Sequence, residues 1–188
     1  MIDEAEIRAA VTSIIKAIGD DPKREGLADT PRRVAEMYAE LFMGLDMNPT
    51  EELTVGFEEG HREMVILKDI PFYSMCEHHL LPFYGVAHIG YIPNAKGRVV
   101  GASKLARVVE IVSKRPQIQE RMTTEIADVI VDGIEPDGVG VIVQAEHLCM
   151  IMRGIKKPGS TIITSAIRGT FRSRTETRSE FFTLLQGK

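Results

Sequence analysis

The sequence predicts an α+β fold built on a mostly antiparallel sheet. Three observations carry this. Apolar residues recur at helical spacing in four segments, they alternate with period two in others, and the two kinds of segment come in runs rather than in strict alternation. The order read from the 188 residues is two helices, strands, two helices, strands and one short helix.

Ile7, Val11, Ile14, Ile15 and Ile18 define an amphipathic helix over 3–18, stopped by Gly19-Asp20-Asp21-Pro22. Thr30-Pro31 reads as a cap followed by proline at the first helical position. Val34, Met37, Tyr38, Leu41 and Phe42 then form one face, ended by Gly44. Residues 64–70 predict a strand, and 73–82 a polar loop bearing histidine and cysteine. Val86 to Ile92 predicts a second strand, followed by a turn at 94–97. Leu105, Val108, Val109 and Val112 mark a helix from near Ser103 to before Pro116. Ile118, Met122, Ile126, Val129 and Ile130 mark another, closed by Gly133 and Pro136-Asp137-Gly138. The odd positions from Val139 to Cys149 read Val, Val, Val, Ala, His, Cys, which is strand periodicity. Residues 160–171, rich in Thr and Ile, read as its hairpin partner across Lys157-Pro158-Gly159. Thr177-Arg178-Ser179-Glu180 has the pattern of a capping box opening a C-terminal helix. The first 60 residues are wholly helical in this reading. The expected division is therefore an N-terminal helical region, 1–60, and a second domain, 61–188.

With 44% hydrophobic and 27% charged residues the composition is that of a globular chain, and no apolar run approaches the ~18 residues of a membrane span. The first six residues carry three acidic side chains and no basic one, where a secretory signal begins basic and turns apolar, so the expected location is the cytoplasm. Two cysteines are too few for a disulfide scaffold or a four-thiolate zinc site. The net charge of −4 gives no general attraction to nucleic acid or to an anionic membrane. That total conceals a segregation. Residues 1–63 carry 15 acidic and 7 basic side chains, whereas 153–178 carry 7 basic and one acidic. A solvated surface explains such a stretch as readily as an anionic ligand does.

Two constellations carry chemistry. In Cys76-Glu77-His78-His79 the Cys-x-x-His spacing lets Cys76 and His79 reach one ion from a tight turn, and His147 and Cys149 lie two apart on the predicted strand. Cys76, His79 and Cys149 would make a Cys₂His site with an open fourth position, the catalytic zinc pattern. A lone cysteine is more often a small buried hydrophobe, but here the clustering argues for a metal. The spacing leaves open a structural zinc closed by His78 or His147. Both histidines flank candidate ligands, where a neutral imidazole suits proton transfer at pH 7. His61 and His88 have no such neighbours and are assigned to the surface and to a strand.

The second constellation is cationic. Ser103-Lys104-x-x-Arg107 opens a helix, where free N–H groups attract anions. Arg153 follows Cys149 by four residues, and three cations together suit a polyphosphate. Glu120, in Arg115-Pro116-Gln117-Ile118-Gln119-Glu120-Arg121, is by itself an ordinary dipole partner at a helix start. A carboxylate there can also accept two hydrogen bonds from the N1–H and amino edge of guanine.

Cys76-Glu77-His78-His79, Gly101-x-Ser103-Lys104-x-x-Arg107, Arg115-Pro116-Gln117-x-Gln119-Glu120-Arg121 and His147-x-Cys149-x-x-x-Arg153 resemble, in order and spacing, the motifs of GTP cyclohydrolase I. So does the closing Thr177-Arg178-Ser179-Glu180-Phe181, and the resemblance runs from about Thr30 onward. It implies the tunnelling fold, an antiparallel sheet with two helices layered on one side behind an N-terminal helical region. It also implies pentamers paired into a homodecamer, with active sites between subunits. The implied reaction converts GTP and water to 7,8-dihydroneopterin triphosphate and formate, the first step towards folate-type pterins. Carried over by residue, Cys76, His79 and Cys149 would hold Zn²⁺, which activates water for attack on C8 of guanine. His147 would protonate the imidazole-ring nitrogen as it leaves, and His78 would assist proton transfers or hold the ribose. Glu120 would grip the guanine edge with help from Gln119 and Ser103, and Lys104, Arg107 and Arg153 would hold the triphosphate. Two features depart from the motif set. Glu36 stands one turn beyond Arg33 where some members carry a lysine, and Arg168, Arg172 and Arg174 are read as subunit contacts. Two alternatives are a tunnelling-fold nitrile reductase, which needs a cysteine nucleophile, and a zinc-stabilised, non-catalytic pterin- or GTP-binding protein.

Overall fold

The computed structural model describes residues 2–187. The chain opens with α1 (Glu4–Ala17), whose N-terminus is capped by the Asp3 carboxylate accepting from the amides of Ala5 and Glu6 at 3.0 Å. α2 (Thr30–Leu41) starts one residue earlier than the Thr-Pro signal suggests: Asp29 is the cap residue and Thr30 is already helical. α1 and α2 pack on one another, with Ile15 and Ala35 buried, while Ile14 and Ile18 are left exposed. Two 3₁₀ turns follow, Met43–Asp46 and Pro49–Leu53. They attach the helical pair to the rest of the molecule, because Leu53 is wholly buried between the two long helices described next.

β1 (Gly56–Glu58), β2 (Val65–Cys76), β3 (Pro82–Ile92) and β4 (Arg98–Val100) precede α3 (Ala102–Ser113). Then come β5 (Pro116–Gln117), α4 (Gln119–Ile134), β6 (Gly138–His147), α5 (Leu148–Ile151), β7 (Ile162–Gly169), α6 (Thr170–Ser173) and α7 (Thr175–Leu185). The main sheet has the order β5-β2-β3-β6-β7, antiparallel except for the short parallel β5–β2 pair. β1 and β4 form a separate antiparallel ribbon that no periodicity announced, since three residues cannot show one.

Helices α3 and α4 lie on one face of the main sheet, as the α+β reading expects. Leu105, Val108, Val109 and Val112 from α3 and Met122, Ile126 and Ile130 from α4 meet Phe83, Ala87, Ile89 and Tyr91 of β3 and Val139, Val141 and Val143 of β6. These sheet residues are the odd positions of their strands, so they share one face. Leu53 packs on Gly133, where a Cβ would lie 2.6 Å from its Cδ1. Gly133 therefore belongs to the last turn of α4 as a point of close approach, and Glu135 in the left-handed region is the cap. On the opposite face α6 and α7 lay Phe171 and Phe181 over the sheet. Gly140 admits them, since a Cβ there would stand 2.7 Å from the Phe171 ring.

Four local expectations are corrected. The polar loop expected over 73–82 shrinks to the turn at 77–81, because Tyr73 to Cys76 extend β2 and pair with β3 as far as Met75↔Pro82. The strand read from Val139 to Cys149 stops at His147, and Cys149 sits in the helical turn α5. His147 and Cys149 are thus not strand neighbours on one face. Residues 152–161 form a longer connection than a hairpin turn before β7. The capping box at Thr177 is unused, because α7 already begins at Thr175 behind Arg174 and places Thr177 inside the helix.

Candidate active site

The end of β2 and the start of β3 are joined by a turn that closes on Cys76. The Cys76 amide donates to the Leu81 carbonyl at 2.9 Å, and its carbonyl accepts from Leu80 at 2.8 Å and His79 at 3.3 Å. Leu80 takes a positive φ of 49° to make the reversal. The amide of Glu77 donates to Gln117 O at 3.0 Å, which ties the turn to β5, and an Arg121–Glu77 ion pair ties it to α4. Backbone bonds therefore hold the turn that carries His78 and His79.

Across this turn α5 brings Cys149. Its sulfur lies 3.9 Å from Cys76 Sγ, which is in turn 3.8 Å from His79 Nδ1, and the three ligating atoms all fall within 4.8 Å of one another. A tetrahedral zinc, with Zn–S of about 2.3 Å and Zn–N of about 2.0–2.1 Å, spaces its ligand atoms about 3.5–3.8 Å apart. The three side chains fit such an ion with small adjustments. Cys76 is buried, Cys149 half-buried and His79 exposed, so the trio opens outward. Burial, and next the nearby Cys76, push the Cys149 thiol above its ordinary value.

A cavity of about 250 Å³ adjoins the trio, lined by Cys76, His78, His79, Glu120, His147 and Cys149 together with Gln117, Ile118, Gln119, Met150 and Ile162. His147 ends β6 opposite Phe83 of β3, whose ring stacks on the imidazole at 4.6 Å, nearly parallel. Burial lowers the His147 pKa and the Glu120 carboxylate partly offsets it. Gln119 starts α4 and is buried, and its amide bonds His147. Glu120 follows it, exposed in the first turn. His78 is exposed, with Nδ1 3.9 Å from Cys76 Sγ. Arg153 reaches the same rim, its Nη1 donating to His79 Nε2 at 3.0 Å.

The remaining predicted site residues lie elsewhere in this chain. Lys104 Nζ donates to Glu52 at 2.9 Å, beside the Leu53–Gly133 contact at the far end of α4 from Glu120. Ser103 shares that helix start. Arg107 lines a different cavity of about 400 Å³, with Phe72, Tyr73, Glu110 and Lys114. The chain thus brings Cys76, His78, His79, Gln119, Glu120, His147, Cys149 and Arg153 together, and leaves Ser103, Lys104 and Arg107 apart from them.

The sequence profile of the GTP cyclohydrolase I family matches residues 7–186. The chain belongs to the GTP cyclohydrolase I family. Relatives named GTP cyclohydrolase 1 include one from Dehalococcoides mccartyi strain ATCC BAA-2266, 67% identical over 188 residues and covering the whole of both chains. Another, from Carboxydothermus hydrogenoformans, is 60% identical over 185 residues, with 98% of this chain and 96% of that one covered. The chain also has a likeness, at 19% identity and a TM-score of 0.45, to an archaeosine synthase QueF-Like structure in the apo form, over 56% of this chain and 93% of that one. As a GTP cyclohydrolase I the chain is an enzyme. Among its described residues no helix is long and apolar enough to cross a membrane.

Sequence reasoning missed the residues that support this candidate site. Phe83 gave no signal beyond being apolar, and its place under His147 depends on the β3–β6 register. Thr123 and Thr164, 2.6 Å apart, buttress Gln119, and nothing local foretells that pairing. Arg168 pairs within the chain with Asp128 at 2.8 Å, which accounts for one cation of the basic stretch. Arg33 lies 3.4 Å from Asp29, and Glu36 is held by Arg32.

Proposed function

We propose that this enzyme hydrolyses GTP with one water to 7,8-dihydroneopterin triphosphate and formate, the first step of folate-type pterin synthesis, in the cytoplasm, which holds GTP. One observation carries the reading: the Cys76–His79–Cys149 trio shares a cavity wall with the buried His147 and the exposed Glu120. Zn²⁺ held by that trio would supply a Lewis acid that makes water nucleophilic at neutral pH.

The chain's own residues have the following roles in this proposal. Glu120 accepts hydrogen bonds from the guanine edge and sets the purine in the cavity. His147 moves the proton between the attacking water and the ring nitrogen that leaves C8, and exposed His78 serves the later proton transfers of ribose rearrangement. Were His79 to hold the metal through Nδ1, the atom nearest Cys76 Sγ, its proton would sit on Nε2, which would no longer accept from Arg153 and would leave that guanidinium for the triphosphate.

Lys104 and Arg107 supply the remaining cations from a neighbouring subunit. Two features support this. Both lie away from the cavity, and β7 and most of β2 present free edges of the main sheet to a second copy. Assembly as a decamer of two pentamers follows the family. Ser103 would help seat the guanine, and Arg172 and Arg174 would be subunit contacts. A nitrile reductase is disfavoured because both cysteines belong to the trio, leaving none as a separate nucleophile.

The test is incubation with GTP, reading formate and pterin fluorescence with and without a chelator. Formate that persists undiminished after metal removal refutes the metal reading, and GTP bound but not consumed points instead to a zinc-stabilised binding protein.

A further inference from the structure

We infer that Gln119 is a positioning residue for His147: its side-chain amide holds the imidazole in the Nε2–H tautomer and presents Nδ1 as the nitrogen that exchanges a proton with the substrate. The inference rests on the reading of His147 as the proton-transfer residue and deepens it.

Gln119 is 1% exposed, and every polar atom of its side chain is engaged. Its Nε2 donates to the carbonyls of Val143 and Ile162, each at 3.0 Å, and to Thr164 Oγ1 at 3.1 Å. Two of these partners are carbonyl oxygens, which can only accept, so the amide cannot be turned over without setting oxygen against oxygen. Oε1 therefore faces His147 Nε2, 2.8 Å away. An amide oxygen can only accept, so the proton on that side of the contact belongs to the imidazole. A neutral imidazole carries one N–H, and with Nε2 protonated Nδ1 holds the lone pair.

The rest of the ring's surroundings agree. Phe83 covers one face of the imidazole, and Nδ1 has no hydrogen-bond partner among the described residues. The residue lines the cavity that Glu120 and the cysteine–histidine trio also line. The amide is itself braced from below, since Thr123 Oγ1 donates to the Gln119 carbonyl at 2.7 Å and contacts Thr164 Oγ1. Gln119 thus ties together α4, β6 and β7 and transmits that rigidity to one nitrogen of one ring. In the reaction, Nδ1 takes a proton from the attacking water as its oxygen bonds to C8. It returns that proton to the guanine ring nitrogen, which keeps the electron pair when its bond to C8 breaks. The imidazole ends neutral. The same geometry gives Gln119 no spare amide atom for guanine, so base recognition by the side chain falls to Glu120.

The test is ¹⁵N NMR of histidine-labelled holoenzyme without GTP, above the pH at which His147 protonates, with its signals assigned by difference from His147→Asn. The expected spectrum shows His147 with a protonated Nε2 and a bare Nδ1. A protonated Nδ1 in the wild-type enzyme overturns the inference even if no variant folds. Because no substrate is present, that failure is distinct from failure of the activity reading, which formate release tests. Gln119→Leu is expected to give a mixture of tautomers and to lower kcat about 10- to 100-fold, with KM for GTP within about twofold. Thr164→Val loosens the same anchorage without touching the Oε1 contact, and is expected to keep both tautomer and kcat. Equal kcat losses in the two variants with an unchanged tautomer would reduce Gln119 to a structural brace and refute the positioning role.

Discussion

A mixed-subunit experiment tests the proposal that neighbouring chains complete one another's active sites. Lys104 is anchored on Glu52, next to Leu53, and Leu53 packs on Gly133. Gly133 lies thirteen residues beyond Glu120 in α4, about 20 Å along a helix that rises 1.5 Å per residue. A lysine side chain does not span that gap, so the Lys104 of the same chain cannot serve the cavity that Glu120 lines. Two inactive proteins are needed. Cys149→Ser removes a thiolate from the trio. Lys104→Ala combined with Arg107→Ala removes two charge-assisted contacts, each worth about 1.5–3 kcal/mol, and so weakens GTP binding about 10²- to 10⁴-fold. Each protein alone is expected to release almost no formate at GTP concentrations near the wild-type KM. Co-expressed in equal amounts with different tags, they are expected to form mixed oligomers in which a site draws Cys149 from one chain and Lys104 with Arg107 from the next. Random assembly then leaves about a quarter of the sites with both halves intact, and about a quarter of the wild-type rate. Mixed oligomers recovered through both tags but no more active than their parents would refute the shared site.

Five further outcomes follow from the same structure. Cys149→Ser is expected to lose bound zinc and formate release together; turnover retained by a zinc-free variant would sink the metal mechanism. In the metal-free enzyme burial holds the Cys149 thiol protonated at pH 7, so zinc uptake is expected to release its proton, read by calorimetry in buffers of different ionisation enthalpy. Glu120→Gln should weaken guanine recognition more than triphosphate affinity, and an unchanged preference for GTP over ATP would refute that assignment. Leu53→Ala removes a wholly buried side chain and should cost about 2–5 kcal/mol in chemical denaturation, far more than a loosely attached N-terminal segment would register. His88 accepts from the Asp69 amide at 3.0 Å, and burial lowers its pKa with Asp69 opposing. The unfolded chain therefore takes up a proton that the folded one resists. Its contribution to stability is whole above about pH 6.5 and falls as the pH drops from there towards the depressed folded value. His88→Gln should flatten that part of the acid limb of a Tm–pH curve.

Much of the site was legible because its chemistry is carried by rare residue types at short spacing. Only two cysteines exist, and both reach one cluster with His79. Cys76 and His79 share a turn, so their convergence is local and the Cys-x-x-His spacing reports it. The convergence of Cys149 is not local. Strand periodicity placed it correctly near the end of β6 but on the wrong element, because a helical turn of four residues leaves no periodicity to read. Gln119 shows the opposite limit. Its motif made it conspicuous, yet whether its amide meets substrate or protein depends on three acceptors from β6 and β7, more than twenty residues away in sequence.

The sequence by itself determined the helices and most strands, the α+β class and the family. Those follow from side-chain periodicity and from motifs whose members lie within a few residues of one another. The tertiary structure alone decided which candidates share a cavity. It put Arg153 on the rim with His79, bound Lys104 to Glu52 at the far end of α4, and turned Gln119 inward on His147. The physical reason is that strand register and helix length set distances of 10–20 Å between residues that a motif list treats as equivalent. One chain brings Cys76, His79 and Cys149 together beside one cavity, while Lys104 is held a helix length away from it.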